Sequence, residues 1–451
     1  MVIVFCGFIL TRYGYFDMSN QKWLSRINMV FFTPCLLFSN IASVISMEKL
    51  IGYWPIPFFF VVFQSLSWIL SQIGTRLLRI EPGYRPFVLA CVMFCNTNSL
   101  PIAVISSLAV SEAGKILYWD ADDTQEAVAA RGISYVLFFA MFCNLIRWSY
   151  GYNLLQPPEG QRDDVVAEYS NEDNSSHGDY GSMTRKPSGS SSSDLEQGIA
   201  THGSNSTLTE TSSNESSGKP TKHHKNNNGP TNETSSLLSS FPTLPHDEPE
   251  QPRRHFLSKM PGYQTVVTIL VYINSYMSPP MYAASLALVV GLIPPLKHLM
   301  YASESFLYPS VTKAIESCGK AAVPIILVCL GAQVTCIQQG DHPFPPSMKK
   351  PVFSAILIRM IVAPLFVIPI VTAFAYYGRQ WSSLAEDPLF IVTMIIVGCT
   401  PTAINLSQIT QVSGMFEEEM LHVLSWSYGV VCVPVCTTIV FLALRIVDSI
   451  D

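Results

Sequence analysis

The chain has 451 residues, of which 49% are hydrophobic and only 13% charged, against about one quarter charged in a soluble domain. Its mean hydropathy is +0.29 and its formal net charge −6. This balance argues against a nucleic-acid partner and for a polytopic membrane protein in contact with lipid. The eleven cysteines lie almost entirely in apolar runs, with no Cys-x-x-Cys pair. They read as small buried side chains, so no disulfide framework, metal site or cofactor is expected.

Taken in order, the first apolar run covers residues 2–10 and is shorter than the ~20 residues a spanning helix needs. It also lacks a signal-peptide cleavage site and reads as the end of a first helix whose beginning is missing. Spans follow at 27–46, 54–73, 86–110 and 132–148, giving five helices in the first half. Residues 155–254 are rich in Ser, Asn, Gly, Thr and Pro. Such a stretch cannot bury enough apolar surface to offset chain entropy, so a disordered linker is expected there. A short amphipathic stretch at 256–274 is expected to lie on the membrane surface. Spans resume at 279–296, 317–337, 352–376, 388–409 and 421–444, again five. The domain reading is therefore a first repeat over 1–150, a linker over 151–255 and a second repeat over 256–451.

The halves echo each other. Thr33-Pro34 parallels Val323-Pro324, Pro101-Ile102-Ala103 parallels Pro401-Thr402-Ala403, and Ser134-Tyr135 parallels Ser427-Tyr428. Three matches in one order suggest an internal repeat. An odd number of helices per repeat inverts the second repeat in the membrane, the plan of secondary transporters. The fold class expected is an all-α polytopic membrane protein. It has ten transmembrane helices in two inverted five-helix repeats, with broken, crossed helices 4 and 9. Lys and Arg near the helix ends place the linker in the cytosol and both chain ends on the other side. The sequons at Asn174, Asn205, Asn214 and Asn232 would then stay unglycosylated.

Two apolar runs are interrupted, by Asn96-Thr97-Asn98-Ser99-Leu100-Pro101 and by Gly398-Cys399-Thr400-Pro401-Thr402-Ala403-Ile404-Asn405. After a break the second half-helix starts afresh, with amides that lack intrahelical partners and a partial positive charge. Two such ends meeting near the midplane make an anion site without a basic residue. No Arg or Lys lies within 86–110 or 388–411. Asn96, Asn98, Asn405 and Gln408 are the expected substrate-binding residues, and Pro101 and Pro401 the expected crossover. Thr97, Ser99, Thr400, Thr402 and Ser407 add polar capacity, and the apolar surroundings suit an amphipathic organic anion. Elsewhere Glu316 and Lys320 stand one turn apart and are expected to pair, and Arg359 is a candidate gate. No acid pair, P-loop or nucleophile–base constellation suggests an enzyme.

At these residues the chain resembles the auxin efflux carrier (PIN-like) family of membrane transporters, specifically its PILS-like branch. The resemblance rests on Asn96 to Pro101, Met277-Ser278-Pro279-Pro280, Pro324 to Gly331 and Asp387-Pro388-Leu389-Phe390. Its longest match runs from Pro401 through Asn405 and Gln408 to Trp426-Ser427-Tyr428. It implies two inverted five-helix repeats, each with a scaffold part and a transport part, and elevator-like alternating access. It implies that the crossed helices hold the carboxylate of an indole-acetate-like substrate, with binding roles at Asn98 and Asn405. It further implies residence in the endoplasmic reticulum; a homodimer is compatible with it. The third helix carries no acidic residue of the kind some plant members use in a support site. The reading is a secondary carrier of a small amphipathic organic anion. Its alternatives are a related sodium–organic-anion carrier and a non-transporting receptor that signals through the linker.

Overall fold

Lipid offers no partner to a backbone amide or carbonyl, so apolar runs fold as helices. Prolines and side chains that mimic backbone then decide where those helices bend or break. A computed structural model describes residues 2–119, 123–157, 274, 277–339 and 346–450. Among them every regular element is helical, apart from one isolated antiparallel bridge. The expected linker from 158 onward, its sequons and nearly all of the 256–274 stretch lie outside the described residues.

The first half gives α1 (Val2–Arg12), α2 (Ser19–Val44) and α3 (Pro55–Leu77). It continues with α4 (Arg85–Met93), α5 (Ser99–Val110) and α6 (Gln125–Leu154). The second half gives α7 (Pro279–Leu292), α8 (Pro294–Tyr301), α9 (Tyr308–Thr335) and α10 (Met348–Gln380). It ends with α11 (Pro388–Cys399), α12 (Asn405–Ser413) and α13 (Glu417–Ile450).

Among the described residues six helices are long and apolar enough to cross a membrane, or seven if α7 and α8 count as one bent span. The single helix expected over 279–296 is corrected: α7 and α8 meet at 104°. Ile293 precedes a proline and is extended, at φ −94 and ψ 106, because the proline ring disfavours a helical residue before it. Several other spans begin before their apolar windows. α2 starts at Ser19, α9 at Tyr308 and α13 at Glu417, since a polar first turn can continue a helix into the interface.

Among the described residues five helices carry a wide π-turn: Asn28–Phe32, Arg147–Gly151, Tyr308–Thr312, Ile358–Val362 and Ser427–Val431. Three of them lie just before Pro34, Pro364 or Pro434. A proline cannot donate to the preceding turn and its ring crowds that turn's carbonyl, so the helix widens.

The helices form two packed groups. α1, α2, α7 and α9 pack on one another, and α3 to α6 pack with α10 to α13. α1 lies close against α9. A Cβ on Gly7 would stand 2.2 Å from the Val328 carbonyl oxygen, and one on Gly331 2.0 Å from that of Val4. Such close approach is available only to small residues. In the second group α11 is the centre, with all its residues buried. Its start is pinned to α6 by polar contacts. Asp387 caps the helix through the Leu389 amide at 2.9 Å and accepts from the Tyr135 hydroxyl at 2.7 Å. Arg131 reaches Asp387 at 3.3 Å and Asp123 at 3.0 Å.

Candidate functional site

α4 ends at Met93 and α5 begins at Ser99; α11 ends at Cys399 and α12 begins at Asn405. The two extended connections cross and pair as a minimal antiparallel ladder. The Asn96 amide donates to the Pro401 carbonyl at 2.8 Å and the Ala403 amide to the Phe94 carbonyl at 2.9 Å, with Cys95 opposite Thr402. Pro401 ends α11 by forcing Thr400 into the extended region, at φ −65 and ψ 156. On the other strand Asn96 makes the turn: its Oδ1 accepts from the Asn98 amide at 3.2 Å, an Asx-type turn that mimics backbone.

One expectation changes here. Pro101 is not at the crossing. It is the third residue of α5, inside the first turn, where a missing amide hydrogen costs little. The Pro-x-Ala echo therefore misaligns the two breaks. Pro401 lies in the crossing, and Cys95 and Asn96 are its counterparts.

A break leaves helix carbonyls without partners, and two buried arginines supply them. Arg359, 2% exposed, donates to Thr400 O at 2.8 Å, Gly398 O at 3.0 Å and Val92 O at 3.3 Å. It thus clamps the ends of α4 and α11 together. This corrects its expected role as a gate or ion-pair member, because its partners are carbonyls at the negative ends of two half-helices. Arg147, 3% exposed, donates to Cys95 O at 2.8 Å and Asn144 Oδ1 at 2.9 Å. Tyr428 donates to Thr402 O at 2.9 Å and accepts from Asn96 Nδ2 at 2.8 Å. Thr402 in turn donates to Cys91 O at 2.9 Å. Arg147, Arg359 and Tyr428 all sit in π-turns, which re-aim side chains that a regular helix would send elsewhere.

One side of the crossing opens into a narrow recess. It is lined by Asn96, Thr97, Asn98 and Ser99, by Ala403, Ile404 and Asn405, and by Arg147 and Val323. The N-terminal ends of α5 and α12 thus face one space, as the breaks led us to expect. The expectation of a site without a basic residue is corrected, because α6 brings Arg147 into it. Among the described residues neither Arg147 nor Arg359 forms an ion pair with a carboxylate. Among the described residues Arg147 Nε and Asn98 Oδ1 have no hydrogen-bond partner. A buried guanidinium without a counter-charge is expensive, and here it stands beside two helix N-termini and free amide capacity. The arrangement can hold a planar anion.

The expected residues divide on inspection. Asn98 and Asn405 line the recess. Asn96 does too, but its amide is engaged by Ser99 and Tyr428, so it shapes the turn. Gln408 is not brought to the recess. It is buried one turn along α12, donating to Thr33 Oγ1 at 3.2 Å and Ser25 O at 3.4 Å. The expected Glu316–Lys320 pair is also corrected. Glu316 pairs with Lys313 at 3.0 Å, and Lys320 is exposed. Sequence reasoning missed Arg147 as a site residue because, near a helix end, it reads as a topology signal. Its one clue was its place directly after an apolar run that also holds Asn144.

Comparison with known proteins adds to this geometry. A sequence profile of the family described as "Membrane transport protein" matches residues 1–440. An uncharacterized transporter of Schizosaccharomyces pombe is 30% identical over 453 residues, covering 99% of this chain and 93% of the relative. An uncharacterized transporter of Saccharomyces cerevisiae is 30% identical over 463 residues, covering 98% and 92%. Protein PIN-LIKES 2 of Arabidopsis thaliana is 22% identical over 423 residues, covering 90% and 83%.

Proposed function

The chain belongs to the membrane transport protein family, the auxin efflux carrier family, and from that premise we propose that it carries a small amphipathic organic anion across its membrane. The anion binds in the recess at the crossing. Its carboxylate lies between Arg147 and the starts of α5 and α12, with Asn98 and Asn405 as hydrogen-bonding partners. The single observation that carries this reading is the buried guanidinium of Arg147, which lines the recess with one nitrogen that has no hydrogen-bond partner among the described residues. A buried charge calls for an opposite one, and among the described residues no carboxylate supplies it. An indole-3-acetate-like acid fits these terms, with its anionic end in the recess and its ring against apolar residues.

We read the helices as ten spans in two inverted halves, with α4–α5 and α11–α12 as the broken fourth and ninth. Support comes from the crossing itself, which takes one broken helix from each half and pairs them antiparallel. In this reading access alternates between the two faces, and the membrane is that of the endoplasmic reticulum with the linker in the cytosol. The test is uptake of labelled indole-3-acetate by purified protein in liposomes, with a panel of competing organic acids. Saturable uptake that Asn98→Ala and Asn405→Ala weaken is the expected result. No flux of any acid, with folded protein in both orientations, sinks the proposal.

A further inference from the structure

α12 carries Asn405, Gln408 and Gln411 at three-residue spacing, so they share one face of the helix. That face meets α2. Gln408 bonds to Thr33 and Ser25, and the Ser25 hydroxyl donates to Gln411 Oε1. Beyond Gln411, Glu417 pairs with Lys22, one turn before Ser25 on α2, at 3.7 Å. A polar seam thus runs from Asn405 in the recess, between the two helix groups, to the end of the bundle opposite Asp387.

A seam that only glued helices together would satisfy itself. This one does not. Among the described residues Gln411 Nε2 has no protein partner, nor do Gln333 Oε1 on α9 or Gln21 Oε1 and Asn28 Oδ1 on the adjoining α2–α9 contact, although all four residues are at most 4% exposed. Such a group is destabilising when dry, a cost that water in a polar gap removes. The wall beside the seam is also irregular, because α2 widens into its π-turn at Asn28–Phe32.

We propose that this seam is a hydrated path by which the organic anion reaches the recess, and that Lys22–Glu417 is its outer closure. The inference rests on the carrier reading above. The charges run in order along the path. Lys22 stands at the mouth, neutral amides line the seam, and Arg147 waits at the inner end. Closed, Glu417 neutralises Lys22 and, with Glu418 beside it, keeps the mouth acidic. Opened, Lys22 no longer faces Glu417 and can meet an anion.

The experiment is site-resolved thiol modification of the full chain in liposomes. Gln408→Cys and Gln411→Cys are compared with Ile409→Cys, whose side chain is fully buried on another face of α12. The probes are an anionic sulfonatoethyl and a cationic trimethylammonium-ethyl methanethiosulfonate, read by peptide mass spectrometry with native cysteines as internal references. The expected result is modification of both seam positions by the anionic probe at least about tenfold faster than Ile409→Cys. Adding Glu417→Gln should raise that rate several-fold. Rates no faster than Ile409→Cys, or reaction confined to the cationic probe, overturn the proposal. The readout needs no substrate. Accessibility without flux would therefore leave the path standing and remove the carrier, while flux without accessibility would do the reverse.

Discussion

The two broken helices cross symmetrically but are built differently. The second is a buried framework. Every residue of α11 is buried, and α12 continues almost wholly so. Its break comes from Pro401, and its freed carbonyls at Gly398 and Thr400 go to Arg359. The first is looser. Only Pro101, Ile105, Leu108 and Ala109 of α5 are buried, and its break is made by an asparagine side chain without a proline in the turn. Its carbonyl at Cys95 goes to Arg147, which also faces the recess. The lesson is a division of labour between two arginines with the same chemistry: one holds the crossing together, and the other is left with capacity for a ligand.

The sharpest way to break this comparison is to exchange the arginines' consequences. Arg359→Gln should destabilise the protein by about 3–5 kcal/mol, since it removes charge-assisted bonds to three buried carbonyls. Thermal unfolding in detergent checks this, and Arg359→Gln should show the largest drop of any variant here. Arg147→Gln should leave a folded protein whose uptake of organic anion falls about 100-fold, the scale of removing one partner of a buried charge pair. If Arg147→Gln unfolds the protein as badly as Arg359→Gln, the two arginines do not differ in role.

Smaller changes sharpen the picture. Asn98→Ala and Asn405→Ala should each weaken apparent affinity about tenfold, equivalent to about 1.4 kcal/mol, with maximal flux largely kept. Concentration-dependent uptake separates these two quantities. Tyr428→Phe removes the bonds to Thr402 O and Asn96 and should cost about 1 kcal/mol of stability, read by the same unfolding assay. Pro101→Ala should cost no more than the roughly 1 kcal/mol of an ordinary substitution, because Pro101, though buried, lies within α5 and not in the crossing. A large effect there would restore the Pro-x-Ala alignment that the geometry rejects.

Much of this was legible in the sequence, for reasons that particular residues make clear. The breaks showed because Pro401 and the Asn96–Ser99 cluster interrupt runs that lipid would otherwise keep helical. Asn98 and Asn405 were legible because each opens the helix that follows the break. Arg147 was not. It lies 52 residues after Cys95, and only a π-turn aims it at the crossing. Gln408 was misread for the converse reason. Its distance from Asn405 is one helical turn, but which neighbour covers that face depends on α2, nearly 400 residues earlier in the chain. Arg359 looked like a gate because a charge in an apolar run invites a mobile role. Tertiary contacts with three carbonyls make it a clamp.

If Arg147 makes the crossing an anion site, the charge on the ligand decides how well it binds there. The most direct measurement is equilibrium binding of indole-3-acetate and of its uncharged isostere indole-3-acetamide to the purified protein and to Arg147→Gln. The native protein should prefer the acid by about 100-fold, a buried-charge effect, and Arg147→Gln should bring the two ligands close to parity. A variant that still prefers the acid as strongly, or a native protein that binds both equally, would contradict that role of Arg147.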